Sequence, residues 1–418
     1  MLSIFHLFSV LLLLAAVFGY LNHRFLHLPR TIGMLIGALG LSVGMIAWDA
    51  VFPGYLVQPW AQMVLKDVSF PAALLNGALS FLLFAAALSV SFSDLWKRKG
   101  TIIVLATIGV LISTFLMGAA MWWVFGLTGL NVPLSWCLVL GAIVAPTDPI
   151  AVGAALERIG LPAELRGVIA GESLLNDGVG VLMFTLLVGV ATSGAGDVSL
   201  GHFAVLFVYE ALGGALLGLA GGYIAYRAMR AIDQHDVEVM ISLALVTVTY
   251  SVAELLDLSG PIAVVVAGVL VGSHARQYAM SENTRRHIDL FWSVIDEVLN
   301  SLLFLLIGLE IVVVEGGSAI FIAAVAAAFL SLLVRFASVG PLALIVTRLK
   351  VRIGATVLLT WSGLRGGISI ALALSLPESE FRQPILAAVY GVVLFTILVQ
   401  GLTLERVADY FFRRKPES

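Results

Sequence analysis

Residues 141–180 bring together polar side chains that can bind a cation or a proton, within a strongly apolar part of the chain. These side chains are Thr147, Asp148, Glu172, Ser173, Asn176 and Asp177. Oxygen atoms of this kind suit hard cations. Because an ionisable side chain at membrane depth is costly, each one is a candidate functional residue. The stretch is therefore a candidate ion-binding site.

Two prolines three residues apart interrupt the first part of this stretch. Pro146 cannot donate a hydrogen bond to the carbonyl of Ala142, and Pro149 cannot donate to that of Ala145. A helix through this segment must break and leave carbonyl oxygens free within the membrane. Secondary transporters hold ions at such broken helices, near the middle of the bilayer.

The second part of the stretch has helical spacing. Ser173, Asn176 and Asp177 stand at i, i+3 and i+4, so they share one helix face. Glu172 precedes Asp177 by five residues, which places it about 140° around the helix. The two carboxylates therefore meet different neighbours, so that one can face an ion path while the other has a structural role.

Composition indicates an all-α polytopic membrane protein, with residues 1–418 as a single transmembrane domain. The 418 residues are 60% hydrophobic and 12% charged, against about 25% charged in a soluble domain. Nothing suggests nucleic-acid binding. The single cysteine, Cys137, excludes a disulfide within one chain and a cysteine-based metal site. We expect no cofactor, and we interpret the apolar N-terminus as a retained first span.

A spanning helix needs about 20 mostly apolar residues, and the charged and turn-rich points of the chain divide it into thirteen candidate spans. We predict spans at roughly 2–22, 31–48, 70–92, 101–127, 133–157, 164–193, 201–229, 237–256, 260–276, 288–313, 318–346, 352–375 and 382–410.

The distribution of basic residues predicts the orientation of these spans. Most of the 23 lysines and arginines fall on alternate connections and on the C-terminal tail. The opposite connections carry only Lys66 and Arg382, while Arg335 and Arg365 lie within spans. Because basic connections stay in the cytoplasm, we predict an outside N-terminus and a cytoplasmic C-terminus, in a bacterial inner membrane.

A second interruption lies in the twelfth predicted span, at the glycine-rich residues 361–367. Thirteen spans divide as six, one and six, so this interruption corresponds to the one at Pro146 and Pro149. Two interrupted spans in corresponding positions of inverted halves indicate where a transporter binds its substrate. We therefore predict two inverted six-helix repeats whose discontinuous helices cross.

These motifs carry a family resemblance. Ala-Pro-Thr-Asp-Pro at 145–149, followed by Gly-Glu-Ser-Leu-Leu-Asn-Asp-Gly at 171–178, resembles the NhaP-type sodium–proton antiporters. The resemblance implies the NhaA-like antiporter fold and a homodimer that works by alternating access. In this arrangement residues 101–193 and 318–413 form the ion-translocating core, which moves against a dimerisation and scaffold part at 1–100 and 201–313.

Asp177 is the predicted carrier of both the cation and the proton. Burial disfavours the charged form of a carboxylate, whereas a bound cation stabilises that form. The alternative is a structural aspartate that caps the broken helix or pairs with Arg365. By resemblance to the family, Thr147 and Ser173 are oxygen ligands of a monovalent cation beside Asp177. Their alternative is ordinary hydrogen bonding between helices, worth about 0.6 kcal/mol in a membrane.

The residues beside these ligands have less direct predicted roles. For Asp148 we favour a helix-end cap over an ion ligand. Asn176 stands where other antiporter groups carry a second aspartate, which predicts one titrating carboxylate and electroneutral exchange. The resemblance implies an ion pair between Glu172 and Arg335. Arg365 is the alternative partner, although we favour for it the neutralisation of the crossing helix ends.

One residue departs from the family pattern. NhaP-type proteins often have a glutamate after Leu-Phe in the third span, and this chain has Ala85 there. Asp296, Glu297 and Asn300 could supply an acidic approach from the tenth span, although we favour a solvated helix end.

We expect the exchanged cation to be Na⁺ or Li⁺. The alternatives are a K⁺/H⁺ antiporter of the same fold and a cation channel. An intramembrane protease, and hence an enzyme, is disfavoured. Its Gly-x-Gly-Asp motif would have to lie within a span, whereas residues 194–197 fall in a predicted outside loop.

Overall fold

A computed structural model describes residues 4–52, 77–90, 92–148, 163–193, 200–310, 317–346 and 352–412, and the regular structure in these ranges is helical. The helices of the N-terminal half are α1 (Ile4–Leu21), α2 (Arg30–Val51), α3 (Leu79–Ser89), α4 (Phe92–Thr128), α5 (Leu134–Val144), α6 (Ala163–Ser193) and α7 (Leu200–Arg230).

The C-terminal half continues the same pattern of apolar helices. They are α8 (His235–Leu255), α9 (Gly260–Leu270), α10 (Glu282–Glu310), α11 (Ser318–Val346), α12 (Arg352–Trp361), α13 (Gly367–Leu374), α14 (Arg382–Phe395) and α15 (Leu402–Phe412). Short π-helical segments follow α1, α9 and α14, at Asn22–Leu26, Val271–Ala275 and Thr396–Gly401.

The helix lengths agree with a chain that crosses a membrane many times. Over the described ranges, nine helices are long and apolar enough to span a bilayer. The other four predicted spans, at 70–92, 133–157, 260–276 and 352–375, coincide with helices that are short or interrupted. The first two of these four lie partly outside the described residues. The total of thirteen spans therefore stays a prediction.

The helices pack into two groups. In the first, here called the crossing bundle, α4 packs on α5, α6 and α11, and α11 also packs on α12 and α14. In the second, here called the flanking bundle, α9 packs on α3, α7 and α8, while α2 lies along α10. The two bundles meet where α6 lies against α9 and where α13 lies against α10.

Both predicted interruptions are confirmed. Helix α5 ends at Val144, and residues 145–148 are not helical. Pro146 cannot continue the hydrogen-bond ladder, which is why the helix stops there. On the other side α12 ends at Trp361 and α13 begins at Gly367, with glycine-rich residues between them. Pro149, the last residue of the first motif, and the residues after it as far as 162 lie outside the described part of the chain.

Candidate functional site

The two interruptions lie against each other in the middle of the crossing bundle. The backbone N–H of Asp148 donates to the carbonyl of Leu364 at 2.8 Å. In the opposite direction, Arg365 Nη1 donates to the carbonyls of Ala145 and Pro146 at 2.9 and 2.8 Å. A helix C-terminus carries partial negative charge on its free carbonyls. The buried Arg365 guanidinium therefore compensates the end of α5.

The close approach of the two interruptions, here called the crossing, depends on Gly366, which has no side chain. A Cβ at Gly366 would overlap the Asp148 carboxylate. The glycine thus allows the segment before α13 to approach the segment after α5. This close approach explains why the second interruption is rich in glycine.

We expect Gly366→Ala to destabilise the protein by about 1–3 kcal/mol, since an added methyl group must push the Asp148 carboxylate aside. The measurement is the thermal unfolding of purified protein in detergent. Gly109→Ala in α4 is the matched control, because among the described residues its new methyl would meet only Leu342 Cδ1, at 3.9 Å. Equal melting temperatures for wild type and Gly366→Ala would show that the crossing tolerates the displacement.

A network of hydrogen bonds joins the unwound segment to helix α6. Asn176 Nδ2 donates to Thr147 Oγ1 at 2.8 Å and to Glu172 Oε1 at 2.9 Å, and Asn176 Oδ1 accepts from the backbone N–H of Thr147 at 3.3 Å. The hydroxyls of Thr147 and Ser173 are 3.1 Å apart. Asn176 thus holds its neighbours in place, and two hydroxyl oxygens lie together at this point.

Glu172 and Arg335 form a buried, bidentate ion pair between α6 and α11. Arg335 Nη1 and Nη2 donate to Glu172 Oε1 and Oε2, each at 2.9 Å. The two side chains are 2% and 5% exposed. The negative charge of Glu172 is therefore matched within the protein, and this carboxylate is not available to a transported ion.

Asp177 has a different environment. It is 4% exposed, and its carboxylate accepts no hydrogen bond from any part of the chain that the structure describes. It interacts electrostatically with Asp148 and Glu172, which are acidic, and with Arg365. A buried carboxylate without hydrogen bonds is costly to ionise. A proton or a bound cation would remove that cost.

Asp177 lies where the two bundles meet. The next residue, Gly178, is so close to α9 that an added Cβ would be 3.0 Å from Ile262 of the flanking bundle. Gly180, three residues after Asp177, lies against Pro146 of the crossing. Asp177 therefore belongs to a turn of α6 that contacts both the flanking bundle and the crossing.

Two residues of α10 lie elsewhere than expected. Asp296 was expected at a solvated helix end, but α10 begins at Glu282, and Asp296 lies near its middle. The expected helix end is thus wrong. Asn300, one turn on, donates Nδ2 to Asp296 Oδ1 at 3.1 Å. The sequence signal for the longer helix is the charged run 282–287, which forms the first turns of α10 and is not part of the preceding connection.

Among the residues that the structure describes, no three histidine, cysteine, aspartate or glutamate side chains are close enough to hold one metal ion together. Ala85, at the position where the family often has glutamate, is part of α3 and is partly buried. Among the described residues, Asp177 is thus the one buried carboxylate of the site without a hydrogen bond or an ion pair, and Ser173 lies one turn before it on the same helix face.

Comparison with known proteins gives consistent matches over nearly the whole chain. The family model described as the transmembrane sodium/hydrogen exchanger matches residues 11–409. The Na⁺/H⁺ antiporter NhaP of Pseudomonas aeruginosa is 42% identical over 98% of this chain and 97% of its own length. The Na⁺/H⁺ antiporter NhaH of Halobacillus aidingensis is 32% identical over 96% of both chains.

A solved structure has the same fold. The sodium proton antiporter MjNhaP1 of Methanocaldococcus jannaschii, solved at pH 8, superposes with a TM-score of 0.75 at 18% identity. The alignment covers 97% of this chain and 98% of that one. At this identity the match concerns the arrangement of helices and not the individual residues.

Proposed function

The chain belongs to the sodium/hydrogen exchanger family, and from this premise we propose that it is a secondary active antiporter that exchanges a monovalent cation for a proton. Its place is a bacterial inner membrane, with the N-terminus outside and the C-terminus in the cytoplasm. The fold is multi-pass and helical. We further propose thirteen spans arranged as two inverted six-helix repeats.

The observation that carries this proposal is the state of Asp177. Its carboxylate is buried and is free of hydrogen bonds among the described residues, while the neighbouring Glu172 is neutralised by Arg335. In the proposed cycle Asp177 holds either a cation or a proton, but never both. Exposing the site alternately to each side of the membrane then exchanges one for the other.

The remaining site residues complete this binding site in the proposal. The hydroxyls of Thr147 and Ser173 are ligands of the cation beside Asp177, and the 3.1 Å between them suits a shared ligand role. Asn176 orients Thr147 through two hydrogen bonds. Asp148 stabilises the crossing through its backbone bond to Leu364, and Arg365 compensates the end of α5.

The two packing groups suggest which parts move. We propose that residues 101–193 and 318–413, which contain the crossing, form the ion-translocating core. Residues 1–100 and 201–313 form the scaffold and the dimerisation surface of a homodimer. The contacts between α6 and α9 and between α13 and α10 would then change during the transport cycle.

The proposed cation is Na⁺ or Li⁺, because the bacterial relatives described above are named as Na⁺/H⁺ antiporters. The alternatives are K⁺/H⁺ exchange by the same mechanism and a cation channel. An exchange assay in proteoliposomes distinguishes these possibilities. A pH gradient should collapse on addition of Na⁺ or Li⁺, with a rate that saturates, and K⁺ should have little effect. A flux that grows linearly with cation concentration would indicate a channel.

Asp177 is the one buried carboxylate of the site that has neither a hydrogen bond nor an ion pair among the described residues, and this predicts electroneutral transport. One proton replaces one monovalent cation on Asp177, so no net charge crosses the membrane in a cycle. We expect the steady-state Na⁺ gradient in proteoliposomes to be the same at a K⁺/valinomycin potential of zero and of about 100 mV, a potential worth about 2.3 kcal/mol for each charge moved. A gradient that shifts with this potential would show that a second carrier group exists.

A further inference from the structure

The π-helical segment Thr396–Gly401 has no part in the mechanism proposed above. It lies within the candidate span Arg382–Phe411, between α14 and α15. Its first residue, Thr396, is a buried polar residue in an apolar helix. π-helical turns are rare and are often found at functional sites. Thr396 is therefore a candidate for a role in transport.

Thr396 holds the backbone of the second interruption. Residues 363–366 are not helical, so their backbone N–H groups need acceptors that a helix does not supply. The N–H of Arg365 donates to Thr396 Oγ1 at 3.2 Å. The Thr396 hydroxyl donates its own proton to the carbonyl of Val393 at 3.1 Å, which leaves its oxygen as the acceptor for Arg365. Because both partners are buried, losing this bond is costly.

The other end of the π-helical segment also contacts the second interruption. A Cβ at Gly401 would lie 3.7 Å from Leu364 Cδ1 and 3.4 Å from Ile32 Cδ1 of the flanking helix α2. Leu364 is the residue whose carbonyl accepts the backbone N–H of Asp148. The segment thus supports the interruption at both of its ends, through the hydrogen bond of Thr396 and the packing of Gly401.

The residue that Thr396 holds also binds the first interruption. Arg365 Nη1 donates to the carbonyls of residues 145 and 146 at 2.9 and 2.8 Å. The next residue along the chain is Thr147, whose Oγ1 is 3.1 Å from Ser173 Oγ. A continuous series of bonded contacts therefore leads from Thr396, through Arg365, to the two hydroxyl oxygens proposed as cation ligands.

We propose that Thr396 is a positioning residue for the cation site. It fixes the backbone of Arg365, hence the place where the guanidinium meets the end of α5, and hence Thr147. Thr396 itself does not touch the cation. This inference rests on the proposed function, because it needs Thr147 and Ser173 to be ligands of the transported cation. It predicts that loss of the Thr396 acceptor weakens cation binding, whereas the transport cycle continues.

Thr403 provides a matched control on the same span. Its Oγ1 accepts a hydrogen bond from Trp361 Nε1 at 3.0 Å, at the end of α12. This N–H belongs to a half-buried side chain and not to the backbone that carries Arg365. Thr396→Val and Thr403→Val each remove a hydroxyl that accepts an N–H, so a difference between them reports the contact with Arg365.

The experiment measures Na⁺-dependent exchange in proteoliposomes, together with equilibrium binding of ²²Na⁺ to the purified protein. For Thr396→Val we expect the apparent KM and the Kd for Na⁺ to rise about tenfold, the lower end of the effect typical of groups that orient metal ligands. We expect kcat to stay within about twofold of wild type, as for the loss of an interaction that affects binding alone. Thr396→Ser keeps the oxygen and should restore most of the affinity, and Thr403→Val should behave as wild type.

Several results would overturn the inference. One is a lower kcat or melting temperature in Thr396→Val with an unchanged KM, which is the behaviour of a purely structural residue. Others are an equal rise in KM for Thr396→Val and Thr403→Val, and a Thr396→Ser variant as weak as Thr396→Val. If Thr396→Val and Thr396→Ala both fail to fold, Thr396 is structural and the inference is wrong. Absence of exchange in the wild-type protein is a different outcome, because it contradicts the proposed function itself.

Discussion

The Asp177→Asn variant is expected to lose cation–proton exchange completely, down to the rate of protein-free liposomes. The amide has nearly the shape of the carboxyl group, but it can neither release a proton nor balance the charge of a cation. Because the Asp177 side chain accepts no hydrogen bond among the described residues, the substitution breaks no hydrogen bond within that part of the chain. The folded protein should therefore survive, and its thermal unfolding should shift little.

The test compares Na⁺-induced collapse of a pH gradient in liposomes containing wild type or Asp177→Asn. Asp289→Asn is a suitable control, since it removes a carboxylate that is 46% exposed and paired with Arg276. It should keep the wild-type rate. Proton-coupled cation flux that persists in Asp177→Asn would show that another group carries the proton.

The second large effect concerns stability. Removal of one partner from a buried ion pair leaves an uncompensated charge, at a typical cost of about 3–5 kcal/mol. Glu172→Gln and Arg335→Ala should each destabilise the protein by this order, since both nitrogen–oxygen contacts are 2.9 Å and both side chains are buried. The double variant leaves no unpaired charge and should recover part of the loss.

Thermal unfolding of the four proteins in one detergent measures this double-mutant cycle. Asn176 also donates to Glu172 Oε1, so the Glu172→Gln variant should disturb the site slightly and slow exchange, without abolishing it. Losses that add in the double variant would mean that the pair has no coupling energy. In that case Arg365 becomes the partner to test.

Much of the fold could be predicted from sequence because bilayer thickness constrains the helices. The apolar lengths define the spans, and Pro146 together with the glycines at 363, 366 and 367 marks the two interruptions. Proline requires a break at the first place, whereas glycine permits one at the second. The helical spacing of Glu172 and Asp177 predicts that their side chains have different neighbours. The structure places Glu172 against Arg335.

Other features depend on tertiary contacts that no local pattern contains. The sequence suggests that Arg365 lies near the crossing, but only the folded chain shows that its guanidinium binds the carbonyls of Ala145 and Pro146. The position of Asp296 along α10 is not evident from the sequence, because the charged residues before it resemble a connection. Residues 282–287 instead extend α10 by about 1.7 turns of 3.6 residues.

The central claim is that one carboxylate holds either the cation or the proton, and the most direct measurement is proton release on cation binding. Na⁺ is added to purified wild-type protein in weakly buffered detergent solution, and bound Na⁺ and released protons are counted together. The account predicts about one proton for each Na⁺ bound, and neither Na⁺ binding nor proton release in Asp177→Asn. Saturable Na⁺ binding without proton release, or release that persists in Asp177→Asn, would contradict it.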